Sequence, residues 1–193
     1  MSKKLVGAAI QFGLIEVDNR NVYEYAVTSF LFCLVTWGTL FVFGLFTKQL
    51  PGCGLFLLFY VPLRIHAGGY HQKAMLKCYI SSCCEFLIVI AGAINPYAYF
   101  FCLVNIVLLL YSVPAIWYMA PLPDENKPLP DSILTRNKKR TRIILILQLC
   151  LIGILYLIGN LSLFVYYACV ALNAVAILLT VGKLLSKKYA AQP

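Results

Sequence analysis

The stretch YAVTSFLFCLVTWGTLFVFGLFT, residues 25–47, decides the class of fold because it holds no charged residue and is long enough to cross a bilayer. A membrane-spanning helix needs about 20 mostly apolar residues. Further apolar segments follow at residues 54–63, 79–94, 97–119, 143–159 and 161–182. Segments 54–63 and 79–94 are short, so they cross only if polar flanks enter the bilayer, or they are partly re-entrant. The sequence therefore predicts one all-α, polytopic membrane domain over residues 1–193, with about six such segments.

The composition agrees with a membrane protein and argues against a nucleic-acid-binding one. The chain has 193 residues, of which 62% are apolar and 12% are charged, whereas a soluble domain has about 25% charged residues. The net charge of +9 would suggest nucleic acid as a partner in a soluble protein. Here the basic residues flank the apolar segments, so we predict anionic lipid headgroups as the partner and no nucleic acid.

The distribution of basic residues predicts the orientation in the membrane. If the N-terminus is inside and all six segments cross, only Lys48 of the 16 Lys and Arg residues falls outside. Positive residues concentrate on the cytoplasmic side of membrane proteins. We therefore predict that both termini are cytoplasmic and that PLRIHAGGYHQKAMLKC, residues 62–78, faces the cytoplasm.

Two polar regions have two readings each. Residues 1–22, in which no signal peptide is expected, form either an interfacial helix on anionic lipid or a loosely ordered leader. Residues 120–142 are predicted to form a cytoplasmic loop with four prolines and then a basic cluster. That cluster either stops translocation beside a span or contacts lipid headgroups or an acidic partner segment. The two roles are compatible. Its central members are Arg136, Lys138, Lys139 and Arg140.

One cysteine has the surroundings of a nucleophile. Seven of the eight cysteines lie in apolar stretches, where cysteine behaves as a small hydrophobic residue. Cys78 instead follows His71, Lys73 and Lys77. The thiolate form of cysteine is the nucleophile, and a free cysteine has a pKa of about 8.5, so an adjacent base is needed to remove the proton. Histidine, with a reference pKa of about 6.5, can act as this base at cytoplasmic pH. From chemistry alone, structural roles for both side chains stay open. No C-x-x-C pair occurs, so neither a disulfide framework nor a metal site is predicted.

Helix geometry restricts how such a pair can work. On one continuous helix, His71 and Cys78 would lie about 10 Å apart along the axis, too far for direct proton transfer. Gly68 and Gly69 allow a tight turn. We therefore expect His71 in a non-helical or re-entrant stretch that folds back over Cys78; completion of the pair by a second subunit is the less favoured route.

Two charged residues near this stretch have alternative interpretations. Arg64 either stabilises an oxyanion or substrate carboxylate, or extends to the membrane interface, the simpler reading of the side chain alone. Glu85 lies seven residues beyond Cys78, on the same helical face and two turns deeper. It pairs with Arg64, orients His71, or stays protonated inside the bundle.

The spacing of these residues resembles the accessory gene regulator protein B (AgrB) family. Arg64, the sequence GGYH at residues 68–71 and Cys78 form one signature, and PDENKPL at residues 123–129 followed by RNKKR is similar to a second. The resemblance extends over essentially the whole chain and includes its length and six-segment pattern.

Membership of this family would imply a cysteine endopeptidase of the bacterial cell membrane that needs no cofactor. Such enzymes cleave the C-terminal part from an AgrD-type propeptide and close a thiolactone or lactone ring, giving the precursor of a quorum-sensing peptide. The resemblance implies that Cys78 is the nucleophile, that His71 is its base, and that Arg64 and Gly69 are required support. It further implies a homodimer and a role in substrate binding or topology for residues 136–140.

Two other classes of function remain open at the level of sequence. Short segments interrupted by glycine and proline would suit a small transporter that exports a peptide or lipid. A non-catalytic membrane scaffold would use the same histidine and cysteine structurally.

Overall fold

The computed structural model describes residues 2–12, 20–68, 75–95, 97–122, 131–158 and 162–190. These residues form helices and short turns. Within the described ranges, the β-type pairing is one isolated bridge between Gly68 and Leu122. The helices are α1 (Ser2–Gln11), α2 (Arg20–Phe46), α3 (Leu50–Ala67), α4 (Met75–Ile94), α5 (Ala98–Met119), α6 (Asp131–Leu157) and α7 (Ser162–Ala190).

Six of these helices, α2 to α7, are long and apolar enough to cross a membrane. This confirms the prediction of a polytopic helical bundle. The short segments 54–63 and 79–94 are the cores of longer helices, whose spans of 18 and 19 residues have the length of a full crossing. Helix α3 begins earlier because Pro51 is tolerated in a first turn, and it continues through Arg64 and His66 in its last turn. The orientation of the termini stays a prediction.

Helix α7 is the central element of the bundle. In the most apolar part of its span 67% of the residues are buried, compared with 11% for α2. It packs most extensively against α5 and α3. Its buried face carries small residues such as Ala168 and Ala171, and small side chains let helices approach closely in a membrane. On α3, Gly52 lies against the Tyr167 ring, where a Cβ atom would overlap it.

Buried polar side chains connect helices that are distant in sequence. Asn173 on α7 donates to the side-chain oxygen of Asn105 at 2.9 Å and accepts from the Ser112 hydroxyl at 2.7 Å. Gln148 on α6 donates to the backbone oxygen of Phe59 on α3 at 2.7 Å. Such bonds contribute about 1 kcal/mol each or less in membranes, so they favour one arrangement of helices more than they add to stability.

Two predicted regions differ from the structure. The loop predicted for residues 120–142 is wrong for residues 131–142, because α6 begins at Asp131 and the basic cluster forms its first turns. Lys and Arg are good helix formers, and the negative charge of Asp131 at the start of α6 interacts favourably with the helix dipole. The interfacial segment predicted for residues 1–22 contains α1 and the beginning of α2, with Val6 of α1 buried. Its place at a membrane interface stays a prediction.

Candidate active site

The candidate residues described by the structure lie where α3 and α5 end and where α4 and α6 begin. We call this the basic end of the bundle, because Arg64, Lys77 and the cluster of residues 136–142 lie there. His71, Gly69 and Lys73 lie outside the described residues, and so does the predicted fold-back of the chain over Cys78.

Helix α3 ends at Gly68 for two physical reasons. The residue has φ +69° and ψ −142°, a backbone conformation available to glycine and strained for other residues. Its N–H donates to the Arg64 carbonyl oxygen at 3.2 Å and closes the last turn. A Cβ atom at this position would also overlap the Leu122 carbonyl oxygen. Both the conformation and the close approach therefore require glycine.

The end of α3 is joined to the segment that follows α5. The Leu122 N–H donates to the Ala67 carbonyl oxygen at 2.9 Å, and Gly68 and Leu122 form a parallel bridge. Residues 123–129, the second signature segment, come directly after this bridge and lie outside the described residues. Gly68 of the first signature segment and Leu122, the residue before the second, are therefore neighbours in the fold.

Arg64 has protein partners instead of simply extending to an interface. One guanidinium nitrogen, Nη1, donates to the Gly68 carbonyl oxygen. The Tyr60 hydroxyl, one turn earlier on α3, is hydrogen-bonded to the same side chain. Glu85 on α4 lies close enough to interact with Arg64 electrostatically. The guanidinium thus connects the end of α3, the turn before it and the neighbouring helix.

Cys78 is the fourth residue of α4 and is half-buried. The first turn of a helix carries the positive end of the helix dipole. The Tyr60 hydroxyl of α3 and Cys33 of α2 both lie within electrostatic range of the Cys78 sulfur. Cysteines such as Cys53 and Cys169 differ from it, because they are buried in the bundle core.

Four described residues therefore come together at the basic end. We call them the Arg64 cluster: Tyr60, Arg64, Cys78 and Glu85. Glu85 lies two turns beyond Cys78, on the side where the cluster extends into the span. The prediction that Glu85 pairs with Arg64, one of three left open, has this proximity in its favour. The arrangement can hold a thiolate or an oxyanion beside a fixed positive charge.

Tyr60 is the member that the sequence interpretation missed. Its signal was available, because a residue four positions before Arg64 lies on the same face of a helix. The ring stacks on Phe56 with centroids 5.3 Å apart, and Phe56 packs edge-on against Phe86 of α4 at 5.6 Å. In a chain of which 62% is apolar, one more aromatic residue did not stand out.

The described basic residues that were predicted to bind substrate are exposed at the basic end. Lys77 is exposed beside Cys78, and the predicted basic residues of α6 are exposed too: Arg136, Lys138, Lys139 and Arg140. Arg142, at the end of the basic cluster, differs, since its guanidinium lies 4.6 Å from the centre of the Trp117 ring on α5. The exposed charges can meet an acidic segment or lipid headgroups.

The comparison with known protein families decides the relationship. The sequence model of the family accessory gene regulator B matches residues 2–181. The chain belongs to the accessory gene regulator B family. AgrB proteins take part in the processing of the quorum-sensing peptide of the accessory gene regulator system, with the AgrD propeptide as the partner. The match confirms the resemblance inferred from the two signature segments. Comparisons with curated protein sequences and with solved structures give no match.

Proposed function

We propose that this AgrB protein is a membrane-embedded cysteine endopeptidase that removes the C-terminal segment of an AgrD-type propeptide. The same acyl-enzyme at Cys78 then closes a thiolactone or lactone ring. The observation that carries the proposal is the position of Cys78 as the fourth residue of α4, within electrostatic range of Tyr60, which itself contacts Arg64. Cys78 is partly exposed and lies close to the N-terminus of its helix, whereas Cys53, Cys102 and Cys169 are buried.

The first chemical step is attack by the Cys78 thiolate on the scissile carbonyl carbon. His71, which the sequence predicts to fold back over Cys78, takes the thiol proton in this mechanism. The new S–C bond forms as the carbonyl π electrons move to oxygen. When the intermediate collapses, the C–N bond breaks and the nitrogen receives the proton from His71. This leaves a thioester at Cys78 and releases the C-terminal fragment as an amine.

Ring closure is the second step. A thiol or hydroxyl of the bound peptide attacks the thioester carbonyl and gives its proton to His71, and the Cys78 sulfur leaves as a thiolate. Water must be kept out, because hydrolysis would yield a linear product. A site within a membrane-spanning helix suits this requirement. Replacing an amide by a thioester is energetically uphill, so removal of a product must draw the reaction forward.

Substrate recruitment would use the positive charge of the basic end. The amphipathic leader of the propeptide would lie on anionic lipid at the inner leaflet. Its acidic C-terminal segment would be attracted to the exposed cations Lys77, Arg136, Lys138, Lys139 and Arg140, together with Lys73. This arrangement requires the basic end to be cytoplasmic in the bacterial membrane. We further propose that the enzyme is a homodimer, as the family resemblance implies.

The reaction can be tested with purified protein in liposomes, a synthetic AgrD-type propeptide and mass spectrometry. The wild type should release the C-terminal fragment and form a peptide adduct at Cys78 after acid quenching. Cys78→Ala and His71→Gln should lose cleavage, while Cys84→Ala, an exposed cysteine of the same helix, should keep it. Cleavage by Cys78→Ala would overturn the proposal. Passage of intact peptide across the bilayer without cleavage would favour the transporter.

A further inference from the structure

Tyr60 is electrostatically close to the three other members of the Arg64 cluster. Its hydroxyl is hydrogen-bonded to Arg64, and both Glu85 and Cys78 lie within electrostatic range of it. It is placed on α3, whereas Cys78 and Glu85 are on α4. The phenol therefore lies at the contact between the two helices, on the side of the proposed nucleophile.

The ring is held in place by aromatic packing. Tyr60 stacks on Phe56 with an interplanar angle of 14°, and Phe56 meets the Phe86 ring edge-on at 66°. Phe86 is the residue after Glu85 on α4. A ring fixed in this way keeps its hydroxyl in one direction, which a group that stabilises a transition state requires.

The hydrogen bond to Arg64 determines what the Tyr60 hydroxyl can still do. A guanidinium carries donors and no acceptor, so the phenol oxygen accepts and the Arg64 side chain donates. The hydrogen of the phenol is then left to be donated elsewhere. A charged donor on the oxygen polarises the O–H bond, and hydrogen bonds in a chain strengthen one another.

We propose that Tyr60 donates this hydrogen bond to the carbonyl oxygen of the peptide bond attacked at Cys78. That oxygen gains negative charge in the tetrahedral intermediate, and a preorganised donor stabilises the charge. The bond acts in both steps, since cleavage and ring closure pass through intermediates on the same carbonyl carbon. The hydrogen stays on Tyr60 throughout, while Arg64 supports the phenol and Glu85 balances the charge of Arg64.

This inference rests on the proposed peptidase activity, and it predicts a specific kinetic loss. In the liposome assay, Tyr60→Phe should lower kcat for cleavage by about 10²-fold with KM unchanged, because an oxyanion donor acts in the transition state alone. The matched control is Tyr166→Phe. It removes a hydroxyl that donates to the Val89 carbonyl oxygen at 2.9 Å in α4, about 16 Å along that helix from Cys78. Its kcat should stay near the wild-type value.

Two further measurements separate this role from an effect on folding. Fluorotyrosine at position 60 keeps the ring and strengthens the O–H donor, so kcat should change while thermal unfolding in detergent does not. The losses caused by Tyr60→Phe and Arg64→Lys should be strongly non-additive in the double variant, because the two groups act as one unit.

The outcomes also distinguish the inference from the proposed function. If cleavage depends on Cys78 but Tyr60→Phe behaves like Tyr166→Phe, the role of Tyr60 is overturned and the peptidase stands. If fluorotyrosine leaves kcat unchanged, the hydrogen-bond role is overturned as well. If Cys78→Ala still cleaves, the peptidase mechanism fails and the role of Tyr60 fails with it.

Discussion

At the scale of single residues, the polar groups of the basic end are explained by their partners. Arg64 would be costly in an apolar span by itself. It becomes acceptable because Gly68, Tyr60 and Glu85 surround it with an acceptor carbonyl, a hydroxyl and a carboxyl group. The glycine at the end of α3 provides this carbonyl and lets Leu122 approach. A charge that the sequence alone allowed to be an interfacial arginine is thus part of a defined cluster.

The backbone at Gly68 provides a test at this scale. Gly68→Ala would force an alanine to a positive φ and push its methyl group into the Leu122 carbonyl oxygen. We expect a loss of about 1–3 kcal/mol in local stability and a strong reduction in propeptide cleavage, because Arg64 loses its fixed acceptor. The measurement is kcat in liposomes together with thermal unfolding in detergent.

The control for this substitution is Gly153→Ala in α6, where an added Cβ atom meets nothing within 4 Å. It should retain full activity, since alanine favours helix over glycine. An active Gly68→Ala enzyme with wild-type stability would show that neither the conformation nor the contact matters.

At the scale of helices, the extent of each element depended on more than its apolar core. The sequence located all six spans by their apolar stretches, but it underestimated the helices where polar residues extend them, at the starts of α2, α4 and α6 and at the ends of α3 and α7. Backbone hydrogen bonding continues a helix into charged sequence as long as no residue breaks it. For α6, the consequence is that the basic residues 136–140 lie in the first turns of a helix instead of in a loop.

Close contact between α3 and α7 can be tested through Gly52. Gly52→Ala should destabilise the bundle by about 1–3 kcal/mol, because the methyl group meets a Tyr167 ring that is 0% exposed and has no space to move. Gly54→Ala, two residues away and open around its Cβ position, is the matched control. Unfolding midpoints of the two variants in detergent would be compared; equal midpoints would contradict the tight α3–α7 contact.

At the scale of the whole molecule, the charges are arranged along one axis. Arg64, Gly68, Cys78 and the exposed cations of α6 lie at the basic end, while Lys48 lies at the opposite end, in the turn between α2 and α3. Helix α7 passes through the centre and contacts helices from both halves of the chain. The exposed cations of α6 are therefore concentrated at one end of the bundle, where the proposed acidic segment of the substrate would be attracted.

The predicted orientation can be measured directly in a variant whose eight cysteines are replaced by alanine. Lys48→Cys should react with a membrane-impermeant maleimide in intact cells, because the turn between α2 and α3 is predicted to be external. Lys139→Cys on α6 should react only after permeabilisation. Reaction of Lys139→Cys in intact cells would invert the orientation and exclude a cytoplasmic active site.

The amino-acid sequence by itself determined the membrane class, the six spans, the family and the distinction between Cys78 and the other cysteines. Apolar length, charge distribution and the neighbours of a residue in the chain are local properties, so they can be read directly. Only the tertiary structure decided that α7 is central, that Leu122 meets Gly68 and that Tyr60 joins Arg64, Glu85 and Cys78. Contacts between distant parts of the chain depend on how helix faces pack. In helices that are apolar on nearly all sides, the spacing of apolar residues does not indicate which face is buried.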